Sequence, residues 1–254
     1  MEITHIGGPT VVLNLGGLAF LTDPAFDEPR EYHLPGGRVM TKLTGPAVPA
    51  ADLGPIDVVL LSHDQHKDNL DDAGRELLPT IPTVLSTRDA AERIPGVRGL
   101  QYWESVELPR PDGGAITVTA VPALHGPDGA EKLLGAVTGF VLAGDGLPTV
   151  YVSGDNASLG LVKEIADRFP SIDIAVLFAG AARTALLDGA NLTLTSTDAV
   201  EATRLLGART VVGVHTEGWS HFTEGPDRFA AAFQDAGLSG GLTTLQHGVT
   251  ANLD

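Results

Sequence analysis

The sequence predicts an α+β protein: two mixed sheets packed face to face, with helices on the outer faces. Three observations lead there. Short apolar runs come first, and then apolar runs and helical patterns alternate to the end of the chain, an order that suits sheets covered by helices around a common core. Thirty-one glycines and 17 prolines, with only 5% aromatic residues, point to many tight turns between short elements. No tandem repeat or linker interrupts the 254 residues, so residues 1–254 read as a single domain.

The elements follow in order. Strands are expected over 3–6, 10–15 and 18–22, parted by Gly7-Gly8 and Gly16-Gly17; the second pair suits a hairpin turn that wants positive φ. Asp23, before Pro24, reads first as a turn former and second as a group that orients a ligand. Residues 24–55 lack periodicity and are rich in Pro and Gly, so they read as an irregular loop over the site, with His33 on its surface. A buried strand over 58–61 stops at Ser62. Helices are expected over 70–78 and 87–94, stopped by Pro79 and by Pro95-Gly96, with a strand over 83–86 between them. Strands over 100–103, 105–108, 115–121, 135–142 and 149–152 come next, with Gly144-Asp145-Gly146 as a hairpin signal. Leu159, Val162, Ile165, Ala166 and Phe169 keep helical spacing over 159–169. A strand over 174–178 precedes a helix that Thr195–Asp198 caps and Gly207 closes. A strand over 210–214, a helix over 226–236 and a strand over 242–246 complete the chain.

Composition sets limits on function. A hydrophobic content of 43% with 19% charged residues is ordinary for a globular protein. There is no cysteine, so any metal must be held by His, Asp, Glu and water. The formal net charge of −16 argues against a nucleic-acid partner, which needs a basic surface. The first residues lack a signal-peptide pattern and no apolar run is long enough to span a bilayer, which makes the cytoplasm the expected compartment.

The chemistry concentrates at strand ends. Two histidines and three aspartates stand between His63 and Asp71, with no apolar residue before Leu70. By itself this is a strand-to-helix turn with Asp68 or Asn69 as the helix N-cap. Further along, His125, Asp155 and His215 each follow an apolar strand, each in a turn marked by Gly or Pro or rich in polar residues. Ligand sites of open α/β sheets lie at such ends, and a set of imidazoles and carboxylates suits Zn, Mn or Fe.

This arrangement resembles the metallo-β-lactamase superfamily, in particular its L-ascorbate 6-phosphate lactonase-like and N-acyl ethanolamine phospholipase D-like hydrolases. The resemblance rests on Thr4-His5-Ile6-Gly7-Gly8-Pro9-Thr10, Leu21-Thr22-Asp23-Pro24, Leu61-Ser62-His63, Asp68-Asn69-Leu70-Asp71, His125, Ser153-Gly154-Asp155 and His215. It implies a four-layer αβ/βα sandwich with a metal site at one edge of the sheets, and hydrolysis by a metal-activated water. In that reading His63, His66 and His125 hold one metal, Asp155 bridges, Asp68 orients the water or takes its proton, and His215 serves a second metal.

The chain departs from the family's His-x-His-x-Asp-His motif by one extra residue between Ser62 and Leu70. Aligned from the front, Gln65 falls where the second histidine belongs; aligned from the back, Asp64 and Asn69 replace the first and last. Either way an imidazole is expected to be missing. An amide oxygen is harder than an imidazole nitrogen and uncharged, so one Zn or Mn is expected to bind well and a second weakly or not at all, with loss of all metal as the contrary case. Gly8 stands where relatives of this branch often have a histidine. His221 is a candidate replacement ligand or general acid, against a surface histidine packed on Trp219. Lys67 reads as an exposed loop lysine, and His5 and His247 as structural.

The function expected is hydrolysis of a small ester, lactone or phosphodiester. Its rivals are metal-free acid–base catalysis by His63, His66, Asp68 and Asp155, and ligand binding without turnover. Substrate identity and oligomeric state are not written in the sequence.

Overall fold

Residues 58–61 form an unbroken apolar run because their strand is covered on both sides. Val58 and Leu60 face the layer between the two sheets, whereas Val59 and Leu61 face the layer beneath the outer helices. A strand buried on both faces has no polar alternation to show. The computed structural model describes residues 1–253.

The first sheet runs Thr250–Asn252, Glu2–Gly7, Thr10–Leu15, Leu18–Thr22, Val58–Leu60, Thr83–Thr87, Val97–Leu100. The second runs Thr210–Val214, Ile174–Phe178, Val150–Val152, Val137–Ala143, Ala115–Ala123, Ser105–Pro109. Each is antiparallel in one half and parallel in the other. Ile3, Leu13, Phe20 and Leu85 of the first sheet meet Ile116, Phe140, Val176 and Val212 of the second in the central core. Outside the second sheet, Val141, Tyr151 and Leu177 pack on Val162 and Ile165 of helix Leu159–Arg168, Ala199 and Ala202 of helix Ser196–Leu206, and Phe229 and Phe233 of helix Pro226–Asp235. Outside the first, Ile6, Leu21 and Val84 pack on Phe26, Leu70, Leu78 and Ile94. The result is the four-layer αβ/βα sandwich. Among the described residues no helix is long and apolar enough to cross a membrane.

Local chemistry sets the helix ends. Thr195 and Asp198 form a reciprocal capping box, and Gly207 at φ 64° closes that helix. Helix Asp72–Leu77 is capped by Asp71, whose carboxylate accepts from the Gly74 amide at 2.8 Å, and not by Asp68 or Asn69. Those two residues are withdrawn into the site instead.

Three further expectations are corrected. Residues 24–55 are not wholly irregular, because Arg30–Leu34 and Arg38–Lys42 form an antiparallel hairpin. A buried Lys42 ammonium anchors its end, donating to Asp71 at 2.8 Å and to the Ala25 carbonyl at 2.9 Å. The strand expected over 100–103 lies at Val97–Leu100. There Gly99 lets helix Arg88–Arg93 approach, since a Cβ would stand 2.7 Å from the Arg88 Cα. The strand expected over 242–246 reduces to one bridge from Leu242 to Val211, and the chain continues to Thr250–Asn252, which pairs with the first strand.

Candidate metal centre

Ser62 and His63 follow strand Val58–Leu60, His125 follows Ala115–Ala123, Asp155 follows Val150–Val152 and His215 follows Thr210–Val214. All four turns come together at one edge of the sandwich. Two of them use left-handed backbone. Gly154 has φ 57° and lies so close to strand Val137–Ala143 that a Cβ would stand 2.6 Å from the Thr138 carbonyl; only glycine fits while Asp155 turns inward. His215 has φ 55°, held by a 2.8 Å hydrogen bond from its amide to the Gly8 carbonyl. A non-glycine residue pays strain for that conformation, and such strain gathers at functional sites.

Three imidazoles form one half of the centre. His63 Nε2 is 2.9 Å from His66 Nδ1, which is 3.2 Å from His125 Nε2. The far nitrogens of the outer two are engaged. His63 Nδ1 lies 2.9 Å from the Ser62 hydroxyl, which itself donates to Asp23 at 2.6 Å. His125 Nδ1 lies 2.9 Å from the Leu192 carbonyl, an acceptor only, so this nitrogen carries the proton. Both Nε2 lone pairs are therefore left facing His66, the way outer partners fix metal-ligating histidines.

Asp155 closes that set and joins it to a second half. Its Oδ2 is 3.5 Å from His125 and 4.0 Å from His63 Nε2, while Oδ1 is 3.0 Å from His215 Nδ1 and accepts from the Asn69 amide at 3.2 Å. Beyond it, Asp68 Oδ2 lies 3.4 Å from His215 Nε2 and 2.9 Å from His221 Nε2. All these side chains are buried except His66 and His221, which are partly exposed.

The two halves carry opposite protonation. Burial, then the neighbouring His66, holds His63 well below its ordinary pKa. Burial, then His125, brings His66 down to about 4. Burial also works against a charge on His215, but Asp155 and then Asp68 outweigh it and raise it to about 10. Burial would push both carboxylates up; His215 and His125 overcome this at Asp155, and His221 and His215 at Asp68, so each stays well below the ordinary carboxylate range. Asp23 is pushed up to about 7 by burial despite hydrogen bonds from Ser62 and Asn69.

The donor set fits a divalent cation. One ligand atom each from His63, His66, His125 and Asp155 lies within 4.8 Å of all the others. Nitrogens about 2.0–2.1 Å from a tetrahedral zinc would stand about 3.3–3.4 Å apart, close to the 2.9 and 3.2 Å found here. The buried atoms Asp155 Oδ2 and Asp68 Oδ1 have no hydrogen-bond partner. Unpartnered buried carboxylate oxygens are costly unless a cation satisfies them.

Residues 19–216 match the β-lactamase superfamily domain. The chain belongs to that superfamily. A UPF0173 metal-dependent hydrolase of Pelotomaculum thermopropionicum is 30% identical over 185 residues, covering 71% of this chain and 75% of its own. Another, from Shouchella clausii, is 28% identical over 264 positions and is matched over 100% of both chains. Among solved structures, an isothiocyanate hydrolase from Delia radicum gut bacteria superposes with a TM-score of 0.82 at 24% identity, covering 100% of this chain and 99% of that one, which speaks for the fold.

In this β-lactamase superfamily member the extra residue of the histidine motif is absorbed without losing either His63 or His66. The chain bulges at Asp64 and Gln65. Asp64 turns to Arg93, whose Nε donates to it at 3.0 Å, and its carbonyl accepts from Arg75 at 3.0 Å. Gln65 turns back to the Asp64 amide. The imidazole expected to be missing from the motif is therefore missing only at Asn69, on the Asp68–His215 side. The sequence reading did not find Asn69 as a donor to Asp155 and Asp23, Ser62 as the link from Asp23 to His63, or the Leu192 carbonyl. Asp23 both turns the chain, at φ 28°, and anchors Ser62. His33 is exposed, and Lys67 pairs with Asp72.

Proposed function

We propose that this chain is a metal-dependent hydrolase of a small ester, lactone or phosphodiester, with His63, His66, His125 and Asp155 as ligands of one Zn or Mn ion. The observation that carries the reading is the convergence of three imidazole nitrogens on a carboxylate oxygen that has no other partner. Such a cation, when bound, supplies an ionised water and polarises the oxygen of the bond under attack.

The chain's own residues do the rest. Asp23, through Ser62, and the Leu192 carbonyl hold His63 and His125 in the tautomers that face the ligand set. Asp68, kept ionised by His221 and His215, is placed to accept a proton from water. His221 bonds Asp68 at 2.9 Å and reaches solvent with a side chain 19% exposed, so it can pass that proton to a leaving-group oxygen. Of the site's histidines and aspartates, His66 and His221 alone are partly exposed, so a substrate would approach past these two side chains.

One contrast favours weighing the metal-free alternative: His215 is already held charged between two carboxylates, an acid–base chain that needs no cation. Chelation separates the two readings. Turnover of a chromogenic phosphodiester or lactone should vanish when the protein is stripped and return with Zn or Mn. Undiminished turnover by fully stripped protein would overturn the metal-dependent reading.

A further inference from the structure

We propose that His5, Glu217 and His247 form a second, separate site for a divalent transition-metal ion, lying behind the loop that carries His215. The three residues come from the first strand, the loop after Thr210–Val214, and the C-terminal segment. His247 Nε2 is 3.2 Å and His5 Nε2 3.9 Å from Glu217 Oε1. The two rings meet edge to face with centroids 4.5 Å apart. One ligand atom from each residue lies within 4.8 Å of the other two. None of the three makes a hydrogen bond or ion pair with His63, His66, Asp68, His125 or Asp155 among the described residues.

Two imidazoles and a carboxylate make a borderline donor set, suited to Zn²⁺ or Co²⁺ more than to Mg²⁺ or Ca²⁺. The ligands are partly positioned in advance. Glu217 Oε1 accepts the Gly8 amide at 3.0 Å, and His5 Nε2 lies 3.0 Å from the Gly8 carbonyl. Burial lowers the pKa of His5, which favours the uncharged, ligating form. To bind, His5 gives up the Gly8 carbonyl, its proton moves to Nδ1, and Nε2 offers its lone pair. His5, Glu217 and His247 line one cleft together with Thr216, Phe229, Leu242 and Thr244. Water or a small ligand can enter there. An ion at this point would tie residues 242–247 to the loop that begins at His215.

The test is a count of metal ions. Chelator-stripped protein is dialysed against Zn²⁺, and Co²⁺ is followed by its visible absorption, for the natural chain, His247→Ala, Glu217→Gln and His125→Ala. The natural chain should hold one equivalent more than His247→Ala or Glu217→Gln, and His125→Ala should keep that equivalent. His247 is a half-exposed side chain, so its replacement leaves the fold intact, which the melting temperature of stripped protein checks. Equal stoichiometry and affinity in His247→Ala and the natural chain would overturn the proposal. So would loss of one and the same equivalent in both His125→Ala and His247→Ala, which would mean a single shared site. If His125→Ala does not fold, the comparison of His247→Ala with the natural chain decides. Failure of the hydrolase reading is distinguishable, because it concerns the ion lost in His125→Ala.

Discussion

On one side of Asp155 stand His63 and His66, kept uncharged by burial and by neighbouring imidazoles. On the other stands His215, raised to about 10 between two carboxylates. The first side offers converging lone pairs and has an unmet need for positive charge. The second already holds an internal imidazolium between Asp155 and Asp68 and an amide hydrogen from Asn69, and leaves Asp68 Oδ1 unpartnered. One carboxylate thus serves two environments of opposite protonation. A cation entering the first displaces the proton of His66 Nδ1 that bonds its two neighbours, from an uncharged ring, whereas one entering the second must compete with the proton on the charged His215.

The most drastic way to break the comparison is to remove a lone pair from the first side. His125→Ala is expected to lose the ion and all measurable turnover, a larger effect than the roughly 10–100-fold of an outer partner; elemental analysis beside a rate assay checks both. Stripped protein should show the two protonation states as two slopes of opposite sign. His66, folded at about 4 against an ordinary value near 6.5, binds fewer protons folded than unfolded between those pH values. Its contribution is complete above about 6.5 and lost as the pH falls through about 4. His215, folded at about 10, binds more protons folded than unfolded above about 6.5, so its contribution is lost as the pH rises through about 10. Denaturant titrations of stripped protein should therefore peak near pH 6.5 and lose on the order of 3 kcal/mol towards the acid limit and on the order of 5 kcal/mol towards the alkaline one; a flat profile would refute the assignment.

His221→Gln tests whether the second side handles protons. Turnover should fall by roughly 100-fold with metal content unchanged. Loss of the ion instead would make His221 a ligand. The mildest change is Asn69→His, which replaces an amide donor by an imidazole beside Asp155. We expect it to add one weak equivalent of Zn²⁺ beside Asp68 and His215, readable by dialysis in a His247→Ala background, without raising the affinity of the ion held by His63, His66, His125 and Asp155.

The ends of the strands were legible because each is a sharp boundary in hydropathy. Val58–Leu61 followed by Ser62-His63, and Thr149–Val152 followed by Ser153-Gly154-Asp155, need no tertiary knowledge to be seen. The accommodation of the extra motif residue was not legible, since it depends on Arg93 and Arg75 reaching Asp64 from two later helices. Nor was the Leu192 carbonyl, because a main-chain acceptor leaves no trace in residue type. The last strand was misplaced for a related reason. Residues 242–246 carry two leucines whereas 250–252 read Thr-Ala-Asn, so hydropathy favours the wrong segment, and only the free edge of the first strand selects the right one.

The hydrogen bond from the His215 amide to the Gly8 carbonyl gives the centre a chronology. An emerging polypeptide can present His63 and His66 early, but the hairpin turn at Gly8 must wait for the segment that carries His215 before the pocket acquires its far wall. Any ion picked up in the meantime would sit among three imidazoles and Asp155, in a half-built vestibule open to water. Assembly order alone would then load the side of His63, His66 and His125 before His215 arrives to neutralise Asp68 and Asp155.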